Sequence, residues 1–189
     1  MAVTAVDPLK PIGEICRKNH LWLHVDAAMA GTALILPEVQ WMLDGRENIE
    51  SFLFNPHKWM FTNFDCTAFF TRDVDSLIRT FEILPEYLKT RTRGQVNDYR
   101  DWGIPLGRRF RALKLWSVIR SYGVNGLREK IRAHISFAAK LKEMILKEAD
   151  FELLAPVIIN VVCFRYAPPG VDEQQLNLLN EKINHSLND

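Results

Sequence analysis

The sequence predicts an α/β fold in residues 1–106 and a smaller α+β unit in residues 124–189. Three apolar runs of strand length alternate with helix-like stretches in the first part, a pattern typical of a sheet that packs against helices. The last part combines a long amphipathic stretch with two strand-like runs and a final helix. A helix within 107–123 is expected to connect the two domains. The length of 189 residues suits one medium domain or part of a larger protein.

The first elements follow from local signals. Residues 8–19 begin at a proline and end with basic residues, which favours a helix. Residues 21–28, "LWLHVDAA", alternate as a strand, and this period places His24 and Asp26 on one face. The runs at 51–56 and 66–71 are almost continuously apolar, so we expect buried strands in a sheet covered on both faces.

The remaining elements are assigned in the same way. Residues 73–84 favour a helix, and the polar stretch 86–103 is poorly periodic and long enough to indicate a functional loop. A helix pattern returns over 108–122 and stops at Gly123. Further elements are expected towards the C-terminus: an amphipathic helix at 124–149, two strands separated by a turn in "FELL" and "IINVVCFRYAPPG", and a helix at 172–187.

Composition narrows the class of function. The 24 basic and 23 acidic side chains nearly cancel, which gives no electrostatic signature for nucleic acid or an anionic membrane. Cys16, Cys66 and Cys163 are sparse and form no CxxC pair, which argues for a reducing compartment. The N-terminus lacks a signal-peptide pattern, and the longest apolar run, 156–164, is too short to span a bilayer. These features predict a soluble, cytoplasmic protein.

Polar residues follow two of the predicted strands. Asp26 follows one strand, and Asn55, His57 and Lys58 follow another, where ligands of open α/β sheets usually bind. A partly desolvated lysine amine can act as a nucleophile and form a Schiff base with an aldehyde, and a nearby aspartate can keep a pyridine nitrogen protonated.

Other readings of these residues stay open at this point. Lys58 can be an ordinary surface lysine. His24 and Asp26 can form a buried hydrogen-bonded pair, and together with His57 they can be ligands of zinc.

The motifs "HVDAAMAG" and "NPHKW" resemble those of the pyridoxal-phosphate-dependent aromatic-L-amino-acid decarboxylases, the group II decarboxylases. The similarity extends through "DYRDWGIPLGRRFRALKLW" and "YGVNGLR" to "VCFRY", so it covers nearly the whole chain. The resemblance implies the second half of an aspartate-aminotransferase-type (fold type I) large domain, followed by a small C-terminal domain. It also implies decarboxylation of tryptophan, tyrosine or dopa to the amine and carbon dioxide, with pyridoxal 5′-phosphate as cofactor.

The resemblance assigns roles to the strand-end residues. Lys58 matches the lysine that forms the internal aldimine, and Asp26 matches the carboxylate that pairs with the pyridine nitrogen. Ala28 matches the small residue that packs against the cofactor ring. Asn55 and His57 match residues that help to hold the phosphate.

Two further residues take their roles from the same resemblance. Tyr87 matches the mobile-loop tyrosine that returns a proton to the substrate's α-carbon, and members with phenylalanine there tend to form aldehydes. Because that loop closes over a site at the dimer interface, the resemblance implies a homodimer. Gly107 matches a position that affects ring selectivity, and glycine there leaves room for an indole.

The matched region corresponds to less than half of a full-length family member. In the family, the turn that cradles the cofactor phosphate lies upstream of this region, and so does most of the substrate pocket. Two hypotheses therefore follow: a decarboxylase that is active as a homodimer together with that part, or an inactive family fragment that retains packing and dimerisation surfaces.

Overall fold

A computed structural model of the chain describes residues 5–82 and 96–188. Its contacts separate two compact units. One unit is Pro8–Val124, and the other contains residues 5–7 together with the described chain from Asn125 onward. The predicted domain boundaries at 106 and 123 stay predictions, and each unit is described below by itself.

The first unit contains a three-stranded sheet in the order β1-β2-β3. The strands are β1 (His24–Asp26), β2 (Ser51–Phe54) and β3 (Ala68–Thr71). β1 and β2 run parallel, with His24 opposite Ser51 and Asp26 opposite Leu53, whereas β2 and β3 are antiparallel. All three strands lie where the sequence predicts them but are shorter than predicted.

Helices and 3₁₀ helices connect these strands and precede and follow them in the chain. The α-helices are α1 (Leu9–Lys18), α2 (Pro56–Trp59) and α3 (Val74–Phe81), and Asp73 caps α3 by accepting a hydrogen bond from the Ser76 amide at 2.8 Å. The sequence pattern predicts no helix or strand between β1 and β2. That connection consists of three 3₁₀ helices: Ala30–Ile35, Pro37–Leu43 and Arg46–Asn48.

The expectation of a sheet covered on both faces is wrong for the described residues. Phe69 and Phe70 of β3 are 47% and 56% exposed. An open groove of about 770 Å³ lies against the sheet and is lined by Phe52, Phe54 and Phe70 among others. Because consecutive strand residues point to opposite faces, the described chain leaves apolar side chains of β3 exposed on both faces of the sheet.

The long helix α4 (Ala112–Ile145) contains a break at Gly123, which has φ 63° and ψ 175°. The stop signal predicted at Gly123 is confirmed, because this left-handed φ favours glycine. The helix begins at Ala112 rather than at Arg108, and it ends at Ile145 rather than at residue 149. Backbone bonds of a closing turn follow, including one from the Leu146 amide to the Lys142 carbonyl at 3.0 Å.

The second unit pairs β4 (Phe151–Leu153) with antiparallel β5 (Phe164–Tyr166), followed by α5 (Glu173–Asn188). Asn180 of α5 bonds both backbone groups of Tyr166, at 2.9 and 2.7 Å, and so fixes α5 to β5. The apolar core consists of residues that are at most 7% exposed: Leu127, Ile131, Ala138, Ile145, Ile159 and Leu176. Among the helices in the described ranges, none has an apolar stretch long enough to cross a membrane.

Candidate active site

The parallel pairing of β1 and β2 brings the polar residues predicted at the two strand ends to one edge of the sheet. The backbone ladder continues beyond both strands. The Ala27 amide donates to the Leu53 carbonyl at 3.0 Å, and the Asn55 amide donates to the Ala28 carbonyl at 2.9 Å. The segment after Asp26 is therefore bonded directly to the segment that leads into Lys58.

Asp26 is exposed, and its Oδ1 accepts a hydrogen bond from the Ala28 amide at 2.9 Å. This bond closes a tight turn and presents the carboxylate at the sheet edge. Ala28 is 5% exposed, so a larger side chain there would have to displace its neighbours.

The suggestion of a buried His24–Asp26 pair is wrong, because both residues are exposed. The His24 ring bonds Ser51 Oγ at 2.8 Å and stacks on Phe69 with 6.1 Å between ring centroids. Its role here is to join β1 to the neighbouring strands.

Lys58 lies in α2, a single helical turn. Pro56 at its first position has the φ that a helix start requires, and Pro56 and Trp59 are buried. The Lys58 amide donates to the Asn55 carbonyl at 2.9 Å. The Lys58 side chain is exposed, and its amine forms no hydrogen bond or ion pair with the residues that the structure describes. The role of Lys58 as the cofactor-binding amine stays a prediction.

The ring of His57 is held from both sides. Its Nδ1 lies 2.6 Å from the Cys66 carbonyl, and its Nε2 lies 3.3 Å from Asn55 Nδ2. The Cys66 carbonyl can only accept and therefore favours a proton on Nδ1, with Nε2 accepting from the Asn55 amide. The Cys66 amide donates to the same Nδ1 at 2.9 Å and favours the other tautomer. Both ring nitrogens are thus used within the protein, which leaves the predicted phosphate contact of His57 as a prediction.

Asn55 keeps unused hydrogen-bonding capacity. Its Oδ1 is buried and has no partner in the described parts of the chain. An unsatisfied buried amide oxygen is costly, which suits a position that bonds to a further group.

The other two predicted site residues are not brought to this cluster by a described contact. Gly107 is exposed, and a Cβ added there would meet no atom within 4 Å. Open space is compatible with the role that the resemblance implies. Tyr87 lies outside the described residues.

The zinc hypothesis has no geometric basis in the described residues, which contain no cluster of three or more histidine, cysteine, aspartate or glutamate side chains suited to a metal. The cysteines are free thiols, of which Cys66 is buried and Cys16 and Cys163 are half-buried. Burial raises the pKa of the Cys66 thiol.

Sequence reasoning missed the contacts between the segment after α2 and the beginning of α4. Arg111 forms an ion pair with Asp65 at 3.0 Å, and Arg109 approaches the same carboxylate at 3.5 Å. The hydrogen bond from the Arg111 guanidinium holds the pKa of the Asp65 carboxyl below its usual value. Because the partners lie 46 residues apart, no local sequence signal could have shown this pairing.

The fold and these residues define a class of protein. The sequence matches the family described as "Pyridoxal-dependent decarboxylase conserved domain" over residues 2–167. The chain belongs to this family. The resemblance predicted from the motifs is therefore confirmed, and so is the α/β fold of fold type I.

Particular relatives are more specific. The chain is 46% identical over 192 residues to tyrosine decarboxylase 4 of Petroselinum crispum, covering 98% of this chain and 38% of the relative. It is 45% identical to a phenylacetaldehyde synthase of Arabidopsis thaliana, covering 98% and 38%. It also resembles the crystal structure of Oryza sativa TDC with PLP and tryptamine, with TM-score 0.93 and 37% identity over 99% of this chain and 39% of that one. The chain thus spans about two fifths of the length of these relatives.

The strand-end residues fit pyridoxal phosphate in their chemistry. An exposed primary amine at Lys58 can bind the cofactor's aldehyde, and an exposed carboxylate at Asp26 can bind a protonated ring nitrogen. The unpartnered Asn55 Oδ1 marks an additional polar position at the same edge.

Proposed function

We propose that this chain is part of a pyridoxal-phosphate-dependent carboxy-lyase that converts an aromatic L-amino acid, of the tryptophan, tyrosine or dopa type, to its amine and carbon dioxide. One observation supports this most directly: the exposed Lys58 amine and the exposed Asp26 carboxylate follow two hydrogen-bonded parallel strands. Membership of the decarboxylase family gives this arrangement its meaning.

The residues divide the work. Bound pyridoxal phosphate supplies an electron sink for the electron pair that remains when carbon dioxide leaves. Lys58 holds the cofactor through its amine, and Asp26 keeps a proton at the pyridine nitrogen. Ala28, with its small buried side chain, leaves room beside the ring, and Asn55 contributes a polar contact.

Borohydride reduction of the purified chain with pyridoxal phosphate, followed by peptide mapping, tests the role of Lys58. Reduction fixes the cofactor irreversibly to the amine that holds it. We expect selective labelling of Lys58 and loss of that label in Lys58→Ala. Lys140→Ala is the matched control, because Lys140 is an exposed lysine on α4 without a described partner.

Scattered or absent labelling in the parent chain would contradict the proposal and favour the alternative, an inactive fragment that retains packing surfaces. The exposed side chains of Phe69 and Phe70 are the observation that favours this alternative. A cofactor signal that persisted in Lys58→Ala would also reject the assignment of Lys58.

We propose the amine, rather than the aldehyde, as the product because of Tyr87. An unperturbed phenol has a pKa of about 10 and keeps its proton at neutral pH, so it can protonate the substrate's α-carbon. Relatives of both kinds, a tyrosine decarboxylase and a phenylacetaldehyde synthase, match this chain. In a protein of the relatives' full length, Tyr87→Phe is expected to shift product from amine towards aldehyde. Chromatography of both products checks this, and an unchanged amine yield would remove Tyr87 from the mechanism.

The finer assignments belong to the same proposal. Gly107, with open space around it, is proposed to leave room for an indole ring, which a comparison of tryptophan with tyrosine as substrates tests. A homodimer is proposed for the full-length protein, and light scattering decides it. A cytoplasmic location, proposed from the sparse cysteines, is tested by imaging a fluorescent fusion.

A further inference from the structure

The helix that carries Lys58 is held by the burial of Pro56 and Trp59 rather than by its own length. α2 has four residues, and a single turn gains little from its own backbone bonds. The segment 60–67 that follows it contains no helix or strand. Met60, Thr62 and Cys66 of this segment are buried, whereas Phe64 between them is 83% exposed and touches the His57 ring with 4.9 Å between centroids.

Lys114 of α4 attaches the exposed part of this segment around Phe64. Its Nζ donates to the Asp65 carbonyl at 2.6 Å and to the Asn63 carbonyl at 3.1 Å. Hydrogen bonds from a charged donor are stronger than neutral ones, and two of them from one amine fix the course of the backbone between their acceptors. Arg111 reinforces this contact through its ion pair with the Asp65 carboxylate.

The attachment leads directly to Lys58. Cys66 follows Asp65, is 4% exposed, and contacts His57 Nδ1 through both its carbonyl at 2.6 Å and its amide at 2.9 Å. His57 precedes Lys58 in the same helical turn. The covalent chain and two sets of hydrogen bonds therefore connect the Lys114 ammonium group to the residue beside the cofactor-binding amine.

We propose that Lys114 is a positioning residue for Lys58, because it holds the 63–66 segment so that His57 is fixed and the amine of its neighbour points to the strand-end site. The effect of Lys114 on Lys58 matters only if the proposed function is right, so this part of the inference rests on that function. The fixing of His57 by Lys114 is independent of it.

Two measurements on the 189-residue chain test the inference in Lys114→Met, Lys114→Arg and the control Lys140→Met. The first is the rate at which borohydride with pyridoxal phosphate labels Lys58 relative to the other lysines. The second is the imidazole ¹⁵N spectrum without cofactor, in which His57→Gln assigns the His57 signals. Circular dichroism and unfolding midpoints of all variants establish that they are folded.

We expect Lys114→Met to reduce the relative labelling of Lys58 by about tenfold, the effect of losing hydrogen bonds from a charged group. The His57 signals should move from those of one preferred tautomer towards the average of both tautomers. Lys114→Arg, which keeps a cationic donor, should restore much of both readouts, and Lys140→Met should match the parent.

Three results would overturn the inference: labelling and His57 signals in Lys114→Met that match the parent, a labelling loss no larger than that in Lys140→Met, or a loss that only follows a lowered unfolding midpoint and that arginine does not restore. If the parent itself shows no selective label, the proposed function fails, and the His57 spectrum alone decides whether Lys114 holds the segment.

Discussion

The charged side chains at the strand ends near Lys58 differ from those around Arg165 in whether they have charged partners. The first group has none in the described chain, whereas the second group forms ion pairs. The Lys58 amine is exposed and has no partner in the described chain, and Asp26 binds only a backbone amide nearby. Arg165, in contrast, bonds Glu152 and reaches both carboxylate oxygens of Glu173, at 2.6 and 3.0 Å. Charges that neutralise one another maintain a fold, whereas charges left open at a strand end are available to a ligand.

The largest effect expected from this comparison is on stability in the second unit. Ile131 is completely buried, and Ile131→Ala removes packed methyl groups and leaves a cavity. We expect the free energy of unfolding to fall by about 2–5 kcal/mol, measured by urea denaturation. Labelling of Lys58 should stay at the parent level where the variant is folded, because the contacts described for Lys58 all come from Pro8–Val124.

Leu36→Ala is the matched substitution in the first unit, since Leu36 is also completely buried. It should destabilise the chain to a similar degree and also reduce the labelling of Lys58. Equal loss of labelling in both variants would show that the two regions do not differ in the way described.

The next effect is expected at the open charges. Asp26→Asn keeps an oxygen that can accept from the Ala28 amide and removes only the negative charge. Losing a charge-assisted bond to a protonated ring nitrogen should weaken pyridoxal phosphate binding by about 10- to 100-fold. The unfolding midpoint should change little, because the Asp26 carboxylate has no cationic partner among the residues that the structure describes.

Absorbance titration with the cofactor measures that affinity. An affinity equal to that of the parent would show that Asp26 does not face the ring nitrogen. A large loss of stability would instead place Asp26 in the same class as Arg165, as a charge that maintains the fold.

The sequence predicts the strand-end charges of Asp26 and Lys58 better than the ion pairs around Arg165, for a physical reason. Residues such as Asp26 and Lys58 end short apolar runs, and those runs show where strands end and where their side chains must meet. The Arg165 cluster depends on the antiparallel pairing of β4 with β5 and on the position of α5, neither of which leaves a local pattern. The exposure of Lys58 could not be predicted, because apolar neighbours in a sequence do not show what covers a residue in space.

The same limit explains why the start of α4 and the 3₁₀ helices between β1 and β2 are not predicted from the sequence. The first turn of the predicted helix at 108–122 is absent because Arg109 and Arg111 reach back to Asp65, a pairing invisible to helix periodicity. The 3₁₀ helices between β1 and β2 were not predicted, since Pro37 and the left-handed Gly45, with φ 92°, interrupt any α-helical pattern there. Gly123 was predicted correctly because glycine itself carries the signal.

The smallest effect is the pH dependence of the ion pairs in the two regions. Arg111 lowers the pKa of Asp65, and Arg165 lowers the pKa of Glu173. A carboxyl with a lowered pKa in the folded state stabilises the fold above its usual pKa, here 3.8 and 4.5, and this contribution disappears as pH falls through the lowered value. Asp65→Asn and Glu173→Gln should each flatten the acid side of the stability profile, which thermal melts between neutral and acidic pH measure.

The two pairs should differ in size, and this difference tests the comparison most finely. The Glu173 side chain is 68% exposed and the Asp65 side chain 34%, so solvent and salt screen the Glu173 pair more strongly. Raising the salt concentration should therefore remove the effect of Glu173→Gln before that of Asp65→Asn. The reverse order would mean that the second contact of Arg165, to Glu152, holds the guanidinium rigidly enough to offset exposure. In that case the ion pairs of Arg165 with Glu152 and Glu173 would stabilise each other because they share one guanidinium, and not because any one pair is protected from solvent.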